Sequence, residues 1–324
     1  MHPLRIVAAT IITVMISGHA IAADRYPVKP VRIIVPFAPG GSTDILVRPI
    51  GVKLGEMLGQ SFLIDNRGGA GGTIGATMAA RSAPDGYTLL VTTSGVIVTN
   101  RSLYKNPGYD PAADFDPVTI IASLPNLLVV SPKAGITSVS DLIAKARTSP
   151  GKFTFASGGN GTSNHLAGEL LKYLTKIDIT HVAYKGGGPA VIAVRAAEVS
   201  MLFATMPSAI SHVKAGQLTA LAVTSEKRSP ATPEVPTMAE AGVKGFEIST
   251  NWIGALAPHG TPPGIIQSLS ASISRVVEDA EIHKRLAVEG YEVVASGPTD
   301  MAKAIQKQSA DWARVIKSAG IHAE

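Results

Sequence analysis

The chain has 324 residues, 29 Lys and Arg against 24 Asp and Glu for a formal net charge of +5, and 45% hydrophobic residues. It has no cysteine, which excludes disulfides, thiolate metal sites, a cysteine nucleophile and the lipid-attachment cysteine of a bacterial lipoprotein. The positive excess is scattered, without blocks of like charge or interleaved aromatics, and this argues against nucleic-acid binding.

In chain order, a secretory pattern comes first. Arg5 is the charged start, Ile6 to Ile16 is an apolar stretch too short for a membrane span, and Ala20-Ile21-Ala22 has the small-x-small form of a cleavage site. An uncleaved anchor is the alternative, but Ser17 and His19 end the apolar run early and Asp24 and Arg25 follow. Residues 1–23 are therefore expected to be a signal peptide cut after Ala22 or Ala23, leaving a soluble protein of a bacterial periplasm. About 300 mature residues suggest two domains.

YPVKPVRIIVPF predicts an extended arm entering a first strand. A helix is expected to start near Ser42 or Thr43, both good N-caps, and to kink or restart at Pro49. SFLIDN (61–66) is a strand, RGGAGG a loop, 73–81 a short helix, and YTLLVTTS the next strand after a PDG turn. The apolar stretch 115–131 is broken at Pro125-Asn126 and reads as two strands joined where the chain leaves the first domain. A second unit follows: helix 139–148, strand FTFAS, a glycine turn, helix 166–174, strand ITHVAY, helix 190–197, and strands 199–205 and 218–225. Residues 229–246 read as a proline-rich loop with a short helix, and NWIGALAP (251–258) as the return crossing. Helices around the strand YEVVAS complete the first domain, the last opening at Thr299 with an apolar face of Met301, Ile305, Trp312, Val315 and Ile316. Strands alternating with helical patterns predict an α/β fold of mainly parallel, helix-covered sheets. The expected division is 24–124 plus 251–324 for domain one and 125–250 for domain two.

PGGSTD (Pro39–Asp44) and SGGNGTSNH (Ser157–His165) each follow an apolar run and open an amphipathic one. A helix start offers unpaired N–H groups and partial positive charge, and glycine admits a ligand close to that backbone. Two such ends in separate domains suit an anion held between them. Ser42, Thr43, Thr92, Thr93, Ser94, Ser157, Thr162, Ser163 and Thr205 fall at predicted strand ends or helix starts, where open α/β sheets bind ligands. Some of these hydroxyls would only cap helices. Asp44 has two open readings: it complements the helix dipole, or it meets a ligand's ammonium or hydroxyl.

Competing chemistries find less support. RGGAGGTIG lacks the acid a dinucleotide site needs, since the following strand ends in hydroxyls. An exported hydrolase using Ser157 or His165 would lack a GxSxG elbow. The histidines show no metal-ligand spacing, and no cofactor is implied.

Taken together, YPVKPVRIIVPFAPGGSTDI, GGAGGTIGA, PDGYTLL, SGGNGTSNHLAGELL, AYKGGGPA, HVKAGQLTALAVTS, EVPTMAEAG, LAPHGTP and WARVIKSAGI resemble the substrate-binding receptors of tripartite tricarboxylate transporters, the Bug receptors, across nearly the whole mature chain. The resemblance implies a two-domain periplasmic binding protein, a Venus flytrap of type II-like form with two interdomain crossings, closing on a small organic carboxylate without catalysis. It implies delivery to a membrane permease of large and small subunits, or use as a sensor receptor docking on a kinase; a monomer is expected. In the family the first glycine turn and the GTxxH turn cradle one carboxylate, which maps onto Ala38, Gly41 to Asp44 and Ser157 to His165. With the hydroxyls above, the expected ligand-binding set is Ala38, Gly41, Ser42, Thr43, Asp44, Ser94, Ser157, Gly158, Gly161, Thr162, Ser163, His165 and Thr205. Pro49, Ser200 and Ala204 depart from the family pattern. Ala204, where members often carry Asp, suggests a preference for apolar or aromatic acids.

Overall fold

The computed structural model describes residues 26–246 and 251–321, so the expected signal peptide lies outside the described residues. The first half opens with β1 (Val31–Val35), α1 (Ser42–Leu58), β2 (Phe62–Asn66), α2 (Thr73–Ala80) and β3 (Thr88–Thr93). Two short helices, α3 (Ser94–Val98) and α4 (Asn100–Leu103), lead to β4 (Phe115–Leu124). The second half holds β5 (Asn126–Val130), α5 (Val139–Thr148), β6 (Phe153–Ser157), α6 (Ser163–Thr175), β7 (Ile179–Ala183), α7 (Gly187–Arg195), β8 (Met201–Thr205), α8 (Met206–Lys214) and β9 (Thr219–Val223). The chain then returns through β10 (Asn251–Pro258), α9 (Pro263–Glu278), α10 (Ala280–Val288), β11 (Glu292–Val293) and α11 (Pro298–Ala319).

Two sheets result. Their orders are β11-β4-β10-β3-β1-β2 and β7-β6-β8-β5-β9. The chain passes from one to the other at Pro125, between β4 and β5, and comes back into the first sheet at β10. Both sheets are mixed rather than mainly parallel. β1 pairs in parallel with β2 and β3, and β6 with β7 and β8. The antiparallel pairings are those of β10 with β3 and β4 and of β5 with β8 and β9, the strands nearest the crossings, together with β11 on β4. A strand entering a sheet directly from its neighbouring half has no crossover helix to reverse it, so it runs antiparallel.

Alternation along the strands builds the core. On β8, Met201 and Phe203 face one apolar layer with Phe155 and Leu171, while Leu202 and Ala204 face the other with Leu127 and Val191. Ala204 therefore packs in the core and not on the wall of the interdomain cleft, so it is no basis for a preference for apolar acids. Ser200 exchanges hydrogen bonds with Thr154 across the sheet, N–H to hydroxyl in both directions at 3.1 Å.

Local expectations fail at four places. The N-cap of α1 is Gly41, with Ser42 and Thr43 inside the first turn and no side-chain cap. Helix α1 runs through Pro49 as one element. The proline leaves the Ile45 carbonyl without its helical N–H partner but does not restart the helix. Residues 229–246 form turns with no helix, and α8 was not anticipated.

Candidate ligand-binding cleft

The parallel strands decide the geometry. β1, β3, β6, β7 and β8 each end at the gap between the halves, and each is followed there by a helix: α1, α3, α6, α7 and α8. Their N-caps are Gly41, Thr93, Thr162, Gly186 and Thr205, and none caps its helix with a side-chain hydrogen bond. Away from the gap, α5 and α10 are capped by Ser138 and Asp279 in the usual way. First-turn N–H groups of several helices thus converge on one place. Each such end carries roughly half a positive charge and favours an anion by about 0.3–1 kcal/mol, up to about 2 when partly buried.

The cavity at that place is about 20 Å³, lined by Phe37, Gly41, Ser42, Thr43, Thr93, Gly158, Thr162, Ser163, Asn164, Gly187 and Thr205. No lining residue is ionisable. The hydroxyls of Thr43 and Thr93 are buried there without a hydrogen-bond partner. The halves are closed on one another. Ala38 N–H donates to Lys185 O (2.9 Å), Thr99 Oγ1 to Gly161 O (2.9 Å) and Tyr104 Oη to Asn160 O (3.1 Å). A hydrogen-bonded chain also joins both crossings: Ser94 Oγ donates to Asn251 Oδ1 (2.8 Å), Asn251 Nδ2 to Ser163 Oγ (3.1 Å) and Ser163 Oγ to Asn126 Oδ1 (3.4 Å).

Of the expected ligand-binding residues, Gly41, Ser42, Thr43, Gly158, Thr162, Ser163 and Thr205 line this cavity. The others stand behind it. Ala38 and Ser94 serve the contacts just described. Asp44 is buried and takes four donors: Gly40 N–H (3.0 Å) and Arg48 Nε (3.0 Å) on Oδ2, Arg48 Nη2 (2.8 Å) and Asn66 Nδ2 (3.1 Å) on Oδ1. Burial works against its charge, but the bonds from Arg48, Gly40 and Asn66 and the guanidinium's charge outweigh it and hold the carboxyl below its ordinary range. Ser157 contacts His181 at 2.6 Å, and His165 accepts the Gly161 N–H on Nδ1 at 3.2 Å. Asn164, within the Ser157 to His165 stretch, also lines the cavity, as do Phe37 and Gly187, and Thr93 does so in place of Ser94. The KGGGPA turn carried the signal for Gly187; Phe37 is placed only by the folded turns.

Two α/β halves joined by two crossings, meeting at the carboxyl ends of their parallel strands, define a binding protein of the periplasmic type. Residues 46–321 match the family model described as "Tripartite tricarboxylate transporter family receptor", and the chain belongs to that family. Protein BugT of Bordetella pertussis is 36% identical over 99% of both chains. A solved structure of R. palustris Rpa4515 with adipate is 40% identical, with a TM-score of 0.89 over 92% of this chain and 99% of that one. MatC (Rpa3494) from Rhodopseudomonas palustris with bound malate is 33% identical, with a TM-score of 0.86 over 90% of this chain and all of that one. The family and these neighbours are substrate-binding proteins rather than enzymes.

Proposed function

We propose that this protein is an exported receptor that captures a small organic carboxylate between its halves and delivers it, as a monomer, to a membrane permease of large and small subunits. The observation that carries the reading is the convergence of uncapped helix starts and unpartnered threonine hydroxyls on a cavity with no ionisable wall. Neutral donors and helix ends suit a carboxylate and supply nothing to activate a nucleophile. The ligands named for the two neighbours, adipate and malate, are of the same class. Residues 24–124 with 251–324 would form one domain and 125–250 the other, hinged near Pro125 and Asn251, with residues 1–23 removed on export. The Ala38–Lys185, Thr99–Gly161 and Tyr104–Asn160 bonds hold the halves together over the cavity, so entry of an acid requires the halves to part.

The Ser157–His181 contact invites a hydrolase reading. Against it, Ser157 is 0% exposed and its Oγ already accepts the Gly159 N–H at 3.0 Å. A thermal-shift panel of mono-, di- and tricarboxylates, aromatic acids and amino acids tests the main reading; a ligand at 100 times its Kd adds about 2.7 kcal/mol. Thr43→Val is expected to leave the unliganded protein as stable as before, because it deletes an unsatisfied buried hydroxyl, yet to weaken the best acid roughly tenfold. No shift with any acid, together with ester turnover abolished by Ser157→Ala, would replace this reading with the hydrolase.

A further inference from the structure

We propose that His165 and His181 are positioning residues of the cleft: a tilted pair of imidazoles in contact, whose acceptor nitrogens hold the 157–162 turn in the conformation that aims the first turn of α6 at the ligand. The proposal rests on the cleft being an anion site. Neither ring lines the cavity. Both stand behind the turn, on α6 and β7, with ring centroids 4.3 Å apart, and His181 stacks on Phe155 at 4.9 Å.

An amide N–H only donates, so the Gly161 bond makes His165 Nδ1 an acceptor and leaves that ring's proton on Nε2. Ser157 Oγ accepts from Gly159 N–H and meets His181 Nε2; we assign the proton between them to the hydroxyl, which places the second ring's proton on Nδ1. Through these two acceptors the amides of Gly159 and Gly161 are turned back from the cleft. Thr162 Oγ1 donates to Gly159 O at 2.7 Å and closes the turn. The N–H groups of Ser163 and Asn164, at the start of α6, have no helical partner, because the first helical bond runs from Leu166 N–H to Thr162 O. A protonated ring would present a second donor to Gly161 or Ser157 and release the turn.

The surroundings keep both rings neutral. Burial, His181 and Lys172 push His165 down to about 3, and burial and Lys172 push His181 down to about 4. Lys172 is paired with Glu169 at 3.1 Å on the same helix. Both rings border a rear cavity of about 400 Å³ that also meets Asp178, Asn160 and the end of α11 at Gly320. Helix α6 thus contributes the Lys172–Glu169 pair, the turn before β7 contributes Asp178, β6 contributes uncharged Phe155, and α11 its carbonyl end.

The test is NMR on the 15N-labelled protein, with adipate and malate as binding probes. Long-range imidazole spectra are expected to show His165 as the Nε2–H tautomer and His181 as the Nδ1–H tautomer, both neutral at pH 5. His165→Asn and His181→Gln keep an acceptor near the δ and ε positions. They should retain the wild-type amide shifts of Gly159, Gly161 and Ser163 and the wild-type affinity. His165→Leu and His181→Leu should move those amides, spare the β3 amides, and weaken the probe roughly tenfold. Opposite tautomers, a ring titrating near 6.5, or unmoved turn amides in the leucine variants overturn the proposal. Should the leucine variants not fold, the tautomers and the Asn and Gln variants decide alone. A wild-type protein that binds neither acid counts against the carboxylate reading, and the tautomers and amide shifts still decide the role of the rings.

Discussion

Closing the two halves presses the 69–72 loop of the first against the 157–162 turn of the second, and Gly71 is the point of contact. A Cβ there would collide with the carbonyl oxygen of Asn160 and stand 2.5 Å from Tyr104 Oη. The obstacle is backbone, which cannot swing aside as a flexible side chain does. The halves must part by roughly 1 Å to restore ordinary contact distances, which strains or breaks the Tyr104–Asn160 and Thr99–Gly161 bonds. At about 1 kcal/mol each, their loss raises the closed state by about 2 kcal/mol. Apparent affinity for the carboxylate should fall roughly 30-fold. Gly71 also has a φ of +60°, so Gly71→Ala adds about 1–2 kcal/mol of left-handed strain unrelated to closure. Gly135→Ala isolates that part, since Gly135 has a φ of +58° and nothing within 4 Å of its added Cβ. The assay is a thermal-shift titration of both variants with the best acid, alongside small-angle scattering with and without it. The two variants should lose similar unliganded stability, and only Gly71→Ala should lose affinity and fail to contract. Wild-type affinity and contraction in Gly71→Ala would refute the reasoning.

Arg48→Ala leaves Asp44 with its bonds to Gly40 and Asn66 but without a counter-charge, close behind the α1 start. Carboxylate affinity should fall roughly tenfold, and the double variant with Asp44→Asn should recover it; equal affinity in Arg48→Ala and wild type would contradict this. Stability should also depend on pH through the two buried histidines. Their folded values, about 3 and about 4, lie below the ordinary 6.5, so the unfolded chain takes up protons first. Their contribution is complete above pH 6.5 and is lost as pH falls toward 4 and then 3. The urea midpoint should drop between pH 7.5 and 4.5, and the drop should shrink in the His165→Asn, His181→Gln double variant; a flat profile in wild type counts against buried neutral rings.

Much of the architecture was legible from local pattern. β10 runs over residues 251–258 and α5 over 139–148, as the apolar periodicity and flanking turns indicate. The break at Pro125-Asn126 separates strands of two different sheets. These features depend on neighbours in sequence, so periodicity and turn residues carry them. The glycine turns also marked where the helix starts would gather, because strand, turn and helix start are contiguous.

Local pattern alone was enough for a two-part α/β chain with helix starts rich in glycine and hydroxyls, and for its family. Which of those groups face the cavity depends on contacts made only in the folded protein. Asp44 and Ser157 sit within a few residues of Thr43 and Thr162, yet Asp44 turns to Arg48 and Asn66 and Ser157 to His181. Arg48 lies one turn along on α1, but Asn66 and His181 come from other elements, 22 and 24 residues away. Likewise Ala204 faces the core rather than the cleft because alternation on β8 is set by the layers packed on either side. A side chain's direction follows from the partner that satisfies it, and distant partners meet only once the chain has folded.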